Sequence, residues 1–118
     1  MDYTDRLRLL GLNDARFAEG SVAPVDVKSL ELDPKTLELV RLAALVAVRG
    51  AVPSYGAQAD SAVNAGATAA EIVDVLVAVI PVVGLPCVVA AAPKLALALG
   101  YDLDDDLDDE AVERHSAE

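Results

Sequence analysis

The chain is poor in sulfur, aromatic rings, imidazole and cations. Its 118 residues hold one cysteine (Cys87), one methionine (Met1), one histidine (His115), one phenylalanine and no tryptophan. A single cysteine excludes an intramolecular disulfide framework and any Cys-x-x-Cys redox couple within the chain. His115 stands in an acidic run with no second ligand beside it, so no metal is expected, and nothing calls for a cofactor. Lys and Arg total 9 against 20 Asp and Glu, a net charge of −11. Such a chain repels phosphate backbones and anionic headgroups, and neither nucleic acid nor a membrane surface is an expected partner. The opening residues Met1-Asp2-Tyr3-Thr4-Asp5 lack a basic start followed by an apolar run. No signal peptide is expected, and the cytoplasm is the expected location.

What the chain has is aliphatic mass. Hydrophobic residues make up 54%, above the roughly 45–50% of ordinary soluble domains. With aromatics at 3%, that mass is alanine, valine and leucine, which suit close helix–helix contact. A single domain of this size hides roughly two-thirds of its surface by folding alone. The surplus points to a second burial step, a homo-oligomer. Residues 72–99 could pass for a membrane span, but Asp74, Pro81, Gly84, Pro86, Pro93 and Lys94 interrupt them. Core helices are expected there instead.

Three segments are expected: an arm over residues 1–24, a helical domain over 25–101 and an acidic tail over 102–118. The arm allows helical turns at residues 5–10 and 13–19, and residues 25–32 read as extended. The tail crowds Asp102, Asp104, Asp105, Asp106, Asp108, Asp109 and Glu110. It reads as a solvated, frayed end; the glycine and flanking helices of a calcium loop are missing.

Four helices are expected in the domain. The first starts at Asp33-Pro34, a capping carboxylate followed by a proline at the first helical position. It carries a stripe of Leu37, Val40, Ala44, Leu45 and Val48, with Arg49 suiting its negative pole and Gly50 as its stop. The second runs from Pro53-Ser54 to about Ala65, with Gly66 as its stop and Tyr55, Gln58, Ala59 and Ala62 on one face. Thr68-Ala69-Ala70-Glu71 is a capping box that opens the third helix. That helix is apolar almost all round and is expected to be covered on every side. Its β-branched residues make a strand at 75–80 the competing local form, and Pro81 with Gly84 is expected to break it. The fourth helix runs from Leu85-Pro86 to Gly100, with a kink or split expected at Pro93.

This ordered set resembles the carboxymuconolactone decarboxylase / alkylhydroperoxidase-D-like superfamily. The matching pieces are Leu32-Asp33-Pro34-Lys35-Thr36-Leu37-Glu38-Leu39-Val40-Arg41-Leu42-Ala43-Ala44, then Ala62-Val63-Asn64-Ala65-Gly66-Ala67-Thr68, then Glu71-Ile72-Val73-Asp74-Val75-Leu76, then Gly84-Leu85-Pro86. They cover roughly residues 30–101. The resemblance implies an all-α, alkylhydroperoxidase-D-like helical bundle that assembles into trimers or hexamers. Its redox branch carries Cys-x-x-Cys, three residues, then His, with a Glu on the preceding helix. Counted back from Gly66, those positions fall on Ala51, Ser54 and Gln58. Ala51 has no sulfur, Ser54 is a far weaker nucleophile than a thiolate, and Gln58 cannot exchange a proton near neutral pH. Glu38 is the counterpart of the relay carboxylate.

Glu38 and Gln58 are therefore the candidate catalytic residues, an acid–base group and a carbonyl-orienting amide. Tyr55, Arg41 and Ser54 are the candidate ligand-binding residues. Each has a plain structural role as its alternative: a satisfied buried amide for Gln58, an intrahelical pair for Glu38 with Arg41, and a core or interface anchor for Tyr55. The expected function is an oligomeric scaffold or small-ligand-binding module without thiol peroxidase chemistry. The alternatives are a cofactor-free decarboxylase or lactone-acting enzyme on a small cyclic acid, and peroxidase activity through Cys87. An inert, buried Cys87 stands against the last.

Overall fold

The structure is a computed structural model that describes residues 2–12 and 27–101. The described residues are helical, with no strand among them. They divide into two compact units, Met1–Glu31 and Leu32–Glu118. Residues 13–19, where a helical turn was expected, and the acidic tail lie outside the described residues.

In the first unit α1 spans Tyr3–Gly11, capped by Asp2, whose carboxylate accepts from the Asp5 backbone N–H at 2.9 Å. Val27–Ser29 form a short 3-10 turn where extended backbone was expected. The Arg6 guanidinium donates to the Ser29 carbonyl at 2.8 Å within this unit.

The second unit holds four helices: α2 (Pro34–Val48), α3 (Val52–Asn64), α4 (Ala69–Val83) and α5 (Leu85–Ala98). Their main contacts form a ring, α2 to α3 to α5 to α4 and back to α2, and the two diagonals are sparse. This is a four-helix arrangement in which the α2–α3 side lies opposite the α4–α5 side. Leu42 and Val46 of α2, Tyr55, Ala59 and Ala62 of α3, Ile72 and Leu76 of α4, and Val88, Ala91 and Leu95 of α5 meet in the middle. No charged side chain of the described residues is buried there. No helix of the described residues is long and apolar enough to cross a membrane.

Local chemistry explains where the helices begin. The Asp33 carboxylate accepts from the Thr36 N–H at 2.7 Å, with Pro34 in the first turn, as the sequence predicts. Thr68 and Glu71 form the full capping box. The Glu71 backbone N–H donates to Thr68 Oγ1 at 3.1 Å, and the Thr68 N–H donates to Glu71 Oε1 at 3.0 Å. The cap fixes the helical form over residues 75–80, where a strand was the alternative.

The other oxygen of Glu71 accepts from Lys35 Nζ at 2.9 Å, tying the first turns of α2 and α4 together. The Thr68 N–H, then the Lys35 ammonium, holds the Glu71 carboxyl below its usual value of 4.5. Glu71 raises the Lys35 ammonium above 10.5. A depressed carboxyl stabilises the fold above its unfolded pKa, and that contribution disappears as pH falls below 4.5 through the folded value. The raised ammonium contributes below 10.5 and stops contributing as pH climbs through its own folded value. Thr68→Ala is expected to lower stability by about 1 kcal/mol, and Lys35→Gln, which removes the ammonium from Glu71, is expected to flatten the acid limb of a stability–pH curve measured by urea unfolding. An acid limb identical to wild type would refute the coupling.

Helix ends bring three corrections. Gly66 stops α3 as expected: with φ at 99° it lets its own N–H reach the Val63 carbonyl at 3.0 Å and the Ala67 N–H reach Ala62 at 2.9 Å. That is a Schellman closure, and only glycine enters it without strain. At the end of α2, however, the left-handed residue is Arg49 (φ 58°), not Gly50. The Gly50 N–H closes the motif on the Leu45 carbonyl at 2.9 Å. Glycine is needed at 50 for space: a Cβ there would lie 2.8 Å from Leu45 Cδ2. The second correction is Pro81, which sits inside α4; the helix runs on to Gly84. The backbone bond that Pro81 cannot make would have gone to the Val77 carbonyl, and both residues are exposed, so solvent can take that acceptor. Pro93 likewise lies within an unbroken α5, opposite exposed Val89. The third correction concerns cover. The apolar α4 is not enclosed by the other described helices: Val77 is 62% and Val82 85% exposed. Four helices have too few layers to surround each other.

Candidate functional site

The α2–α3 side of the unit carries a groove of about 430 Å³, lined by Arg41, Ala44, Leu45, Val48, Ser54, Ala57, Gln58 and Ser61. On α2, Arg41, Leu45 and Val48 recur at steps of four and three. On α3, Ser54, Gln58 and Ser61 do the same. Each helix therefore presents one stripe, and two adjacent stripes make the walls. The floor is aliphatic, from Ala44, Leu45, Val48 and Ala57. The polar groups are one guanidinium, two hydroxyls and one amide. A volume of this size suits a small molecule, within the roughly 300–1,000 Å³ typical of ligand sites.

Glu38 stands one turn before Arg41 and is mostly buried, while Arg41 is half-exposed. The Arg41 guanidinium lies 3.5 Å from Glu38 Oε1, the i,i+3 pair expected from the sequence. Across the helix interface Gln58 Nε2 donates to the Glu38 carboxylate at Oε2 and to its main-chain carbonyl at 3.0 Å. The amide is oriented by this contact, because an ionised carboxylate only accepts. Gln58 Oε1 remains as the amide's acceptor, with no donor among the described residues. The one long contact to Glu38 leaves most of the five guanidinium N–H donors of Arg41 available. The site can thus hold an oxygen-rich group on Arg41, offer an acceptor at Gln58 and shelter an apolar body.

The structure brings Arg41, Ser54 and Gln58 into the groove and sets Glu38 behind it as the anchor of Gln58. It does not bring Tyr55 there. Tyr55 points from the first turn of α3 into the core, fully buried, and its hydroxyl has no hydrogen-bond partner among the described residues. Burial, then the charge of nearby Cys87, pushes its phenol above 10. Cys87 is half-buried in the first turn of α5, where Arg49 Nη2 approaches its sulfur at 3.8 Å. Lys94, seven residues on, donates to the Gly50 carbonyl at 3.1 Å. Both basic side chains thus brace the α2–α3 turn, away from the groove. Asp74 is exposed on α4. No group of three or more potential metal ligands occurs among the described residues.

Neither Ser61 nor Ala57 stood out in the sequence, and Ala44, Leu45 and Val48 read there as an apolar stripe and not as the floor of a groove. The signal was present: Ser61 follows Gln58 by three, and Val48 follows Arg41 by seven, so each shares a helical stripe with a residue singled out from the sequence.

Comparison with curated proteins and with solved structures returned no match. The family model described as "Carboxymuconolactone decarboxylase family" matches residues 15–96. That match takes in α2, α3, α4 and nearly all of α5, with the positions 51, 54 and 58 from which sulfur and imidazole are missing. The chain belongs to the carboxymuconolactone decarboxylase family.

Proposed function

We propose that the protein is an oligomeric scaffold of this family that binds a small molecule in the α2–α3 groove and performs no thiol peroxidase chemistry. One observation carries the reading. Arg41, Ser54 and Gln58 converge on an aliphatic groove at the helix pair where the redox relatives are implied to hold cysteine and histidine. In this reading Arg41 takes an anionic or carbonyl oxygen of the ligand, Gln58 orients it, and Glu38 keeps Gln58 in place. The reading keeps the protein in the cytoplasm, where a lone thiol such as Cys87 stays reduced.

The test is ligand-observed NMR with a panel of small carboxylic acids, lactones and their neutral analogues. Saturable binding of an acid or lactone is expected, weakened at least about tenfold, or 1.4 kcal/mol, in Arg41→Gln. Cys87→Ser is expected to bind as wild type does. Absence of saturable binding, or affinity indifferent to Arg41→Gln, would refute the groove. Lactone turnover that disappears in Glu38→Gln would instead establish the cofactor-free enzyme.

A further inference from the structure

We infer that the outward face of the α4–α5 hairpin is the surface on which a second copy of this chain docks. The inference rests on the oligomeric part of the reading above and names the surface that serves it.

From Val75 to Pro93 no side chain carries a charge, and the only polar hydrogen is the thiol of Cys87. The residues that α5 turns outward are Leu85, Pro86, Val89, Ala90, Pro93 and Leu97. Those of α4 past Asp74 are Val77, Ala78, Pro81 and Val82. Leu85 is 57%, Val89 61% and Leu97 63% exposed, beside the more open Val82. Lys94, the nearest cation on α5, is turned to the Gly50 carbonyl. At these exposures the large side chains leave on the order of 500 Å² of apolar surface in water, and the prolines and alanines raise the face to about the 800 Å² that one side of a standard interface covers. Lone subunits seldom carry a contiguous apolar patch that large.

Charge selects the occupant. The acidic tail would set nine carboxylates against a face with no free cation to receive them. An anionic bilayer finds no Lys or Arg among the outward residues of the hairpin, where Lys94 is turned to Gly50, and its interface finds no Trp or Tyr there. A charged protein partner finds nothing to read. Copies of a chain with net charge −11 repel one another everywhere except where charge is missing, and this face is such a place. Alanine and proline between the valines and leucines let two helices approach closely. Because α4–α5 lies opposite α2–α3, self-association here leaves the ligand groove open.

Sedimentation velocity of the full chain, with and without Leu85→Glu/Val89→Glu, tests this, and Val48→Glu on the opposite side is the control. Both substituted hairpin residues are exposed, so the subunit is expected to keep its helicity and melting behaviour. The expected result is a self-associating wild type, at least tenfold weaker association in the hairpin variant, and none of that loss in the control. In a Cys87→Ser background, Val89→Cys is expected to form an intermolecular disulfide and Val48→Cys is not. An assembly that survives the hairpin change but fails with Val48→Glu overturns the surface while leaving the oligomer intact. A monomeric wild type overturns both, as does a monomer that sediments with phosphatidylcholine–phosphatidylglycerol vesicles. A hairpin variant of unchanged mass but lowered melting temperature means that the chain covers this face itself, and overturns the surface.

Discussion

Leu42→Ala is expected to lower the stability of the helical unit by about 3–5 kcal/mol, near the upper end for such truncations. Leu42 has no exposed surface and sits in the cluster with Val46, Tyr55, Ile72 and Leu95. The size of the effect depends on whether neighbours can move into the hole. Here several are alanines, Ala59, Ala62 and Ala91, which have no rotamers to swing inward. The three β-branched members of that cluster, Val46, Ile72 and Val88, are stiff at χ1. The cavity therefore stays open, and the loss exceeds the transfer free energy of the missing methylenes. Set against a total stability of about 5–15 kcal/mol, this would leave a marginal protein. Urea unfolding of both proteins at one fixed concentration measures it, since self-association shifts apparent stability. A loss under about 1.5 kcal/mol would mean that the helices close on the hole and that the core is less rigid than its alanines imply.

Tyr55→Phe is expected to act in the opposite direction, raising stability by about 1–2 kcal/mol. The ring stays, filling the same space; only the hydroxyl goes. That hydroxyl is buried without a partner among the described residues and carries a desolvation penalty they do not relieve. In a domain of this size, 1 kcal/mol moves the melting temperature by roughly 4–8 °C, well within reach of a calorimeter. The alkaline limb should change too. The folded phenol keeps its proton to a higher pH than the unfolded one, with burial as the main cause. Above pH 10 the unfolded chain then binds fewer protons than the folded one, so stability is intact below pH 10 and declines as pH rises further. In Tyr55→Phe that share of the decline disappears, while the share from Lys35 remains. A lower melting temperature in the phenylalanine variant would show that the hydroxyl is satisfied in solution and contributes to the fold.

Much of this molecule was legible beforehand because it is written in local signals. Asp33-Pro34, the box at Thr68 and Glu71, and Gly66 each act within one turn of backbone, and the structure places a helix boundary at every one of them. The pairing of Glu38 with Gln58 was foreshadowed only through family likeness, and the contact that joins them spans twenty residues of sequence. The groove residues were partly readable as helical stripes. Which stripe faces its neighbour was not, since Arg41 and Leu42 differ by one position and end in a groove and a core.

Three features were not settled by the sequence. Arg49 adopts the left-handed stop while Gly50 lies against Leu45, five residues back at the end of the same helix, where a Cβ would not fit. Pro81, expected to break its helix, stays inside it because the residue whose carbonyl it orphans is exposed. Tyr55 leaves the groove for the core because the azimuth of the first turn of α3 is set by how that helix meets α5.

By itself, then, the chain's composition and order determined an all-helical unit with these caps, a surplus of aliphatic surface, and no sulfur–imidazole machinery. All of these depend on residue type or on neighbours a few positions away. Only the tertiary structure decided which polar side chains share a groove, which hydroxyl is stranded in the core, and which apolar faces remain in water. Those depend on how four helices are rotated against one another, and that rotation is a compromise among contacts far apart in sequence.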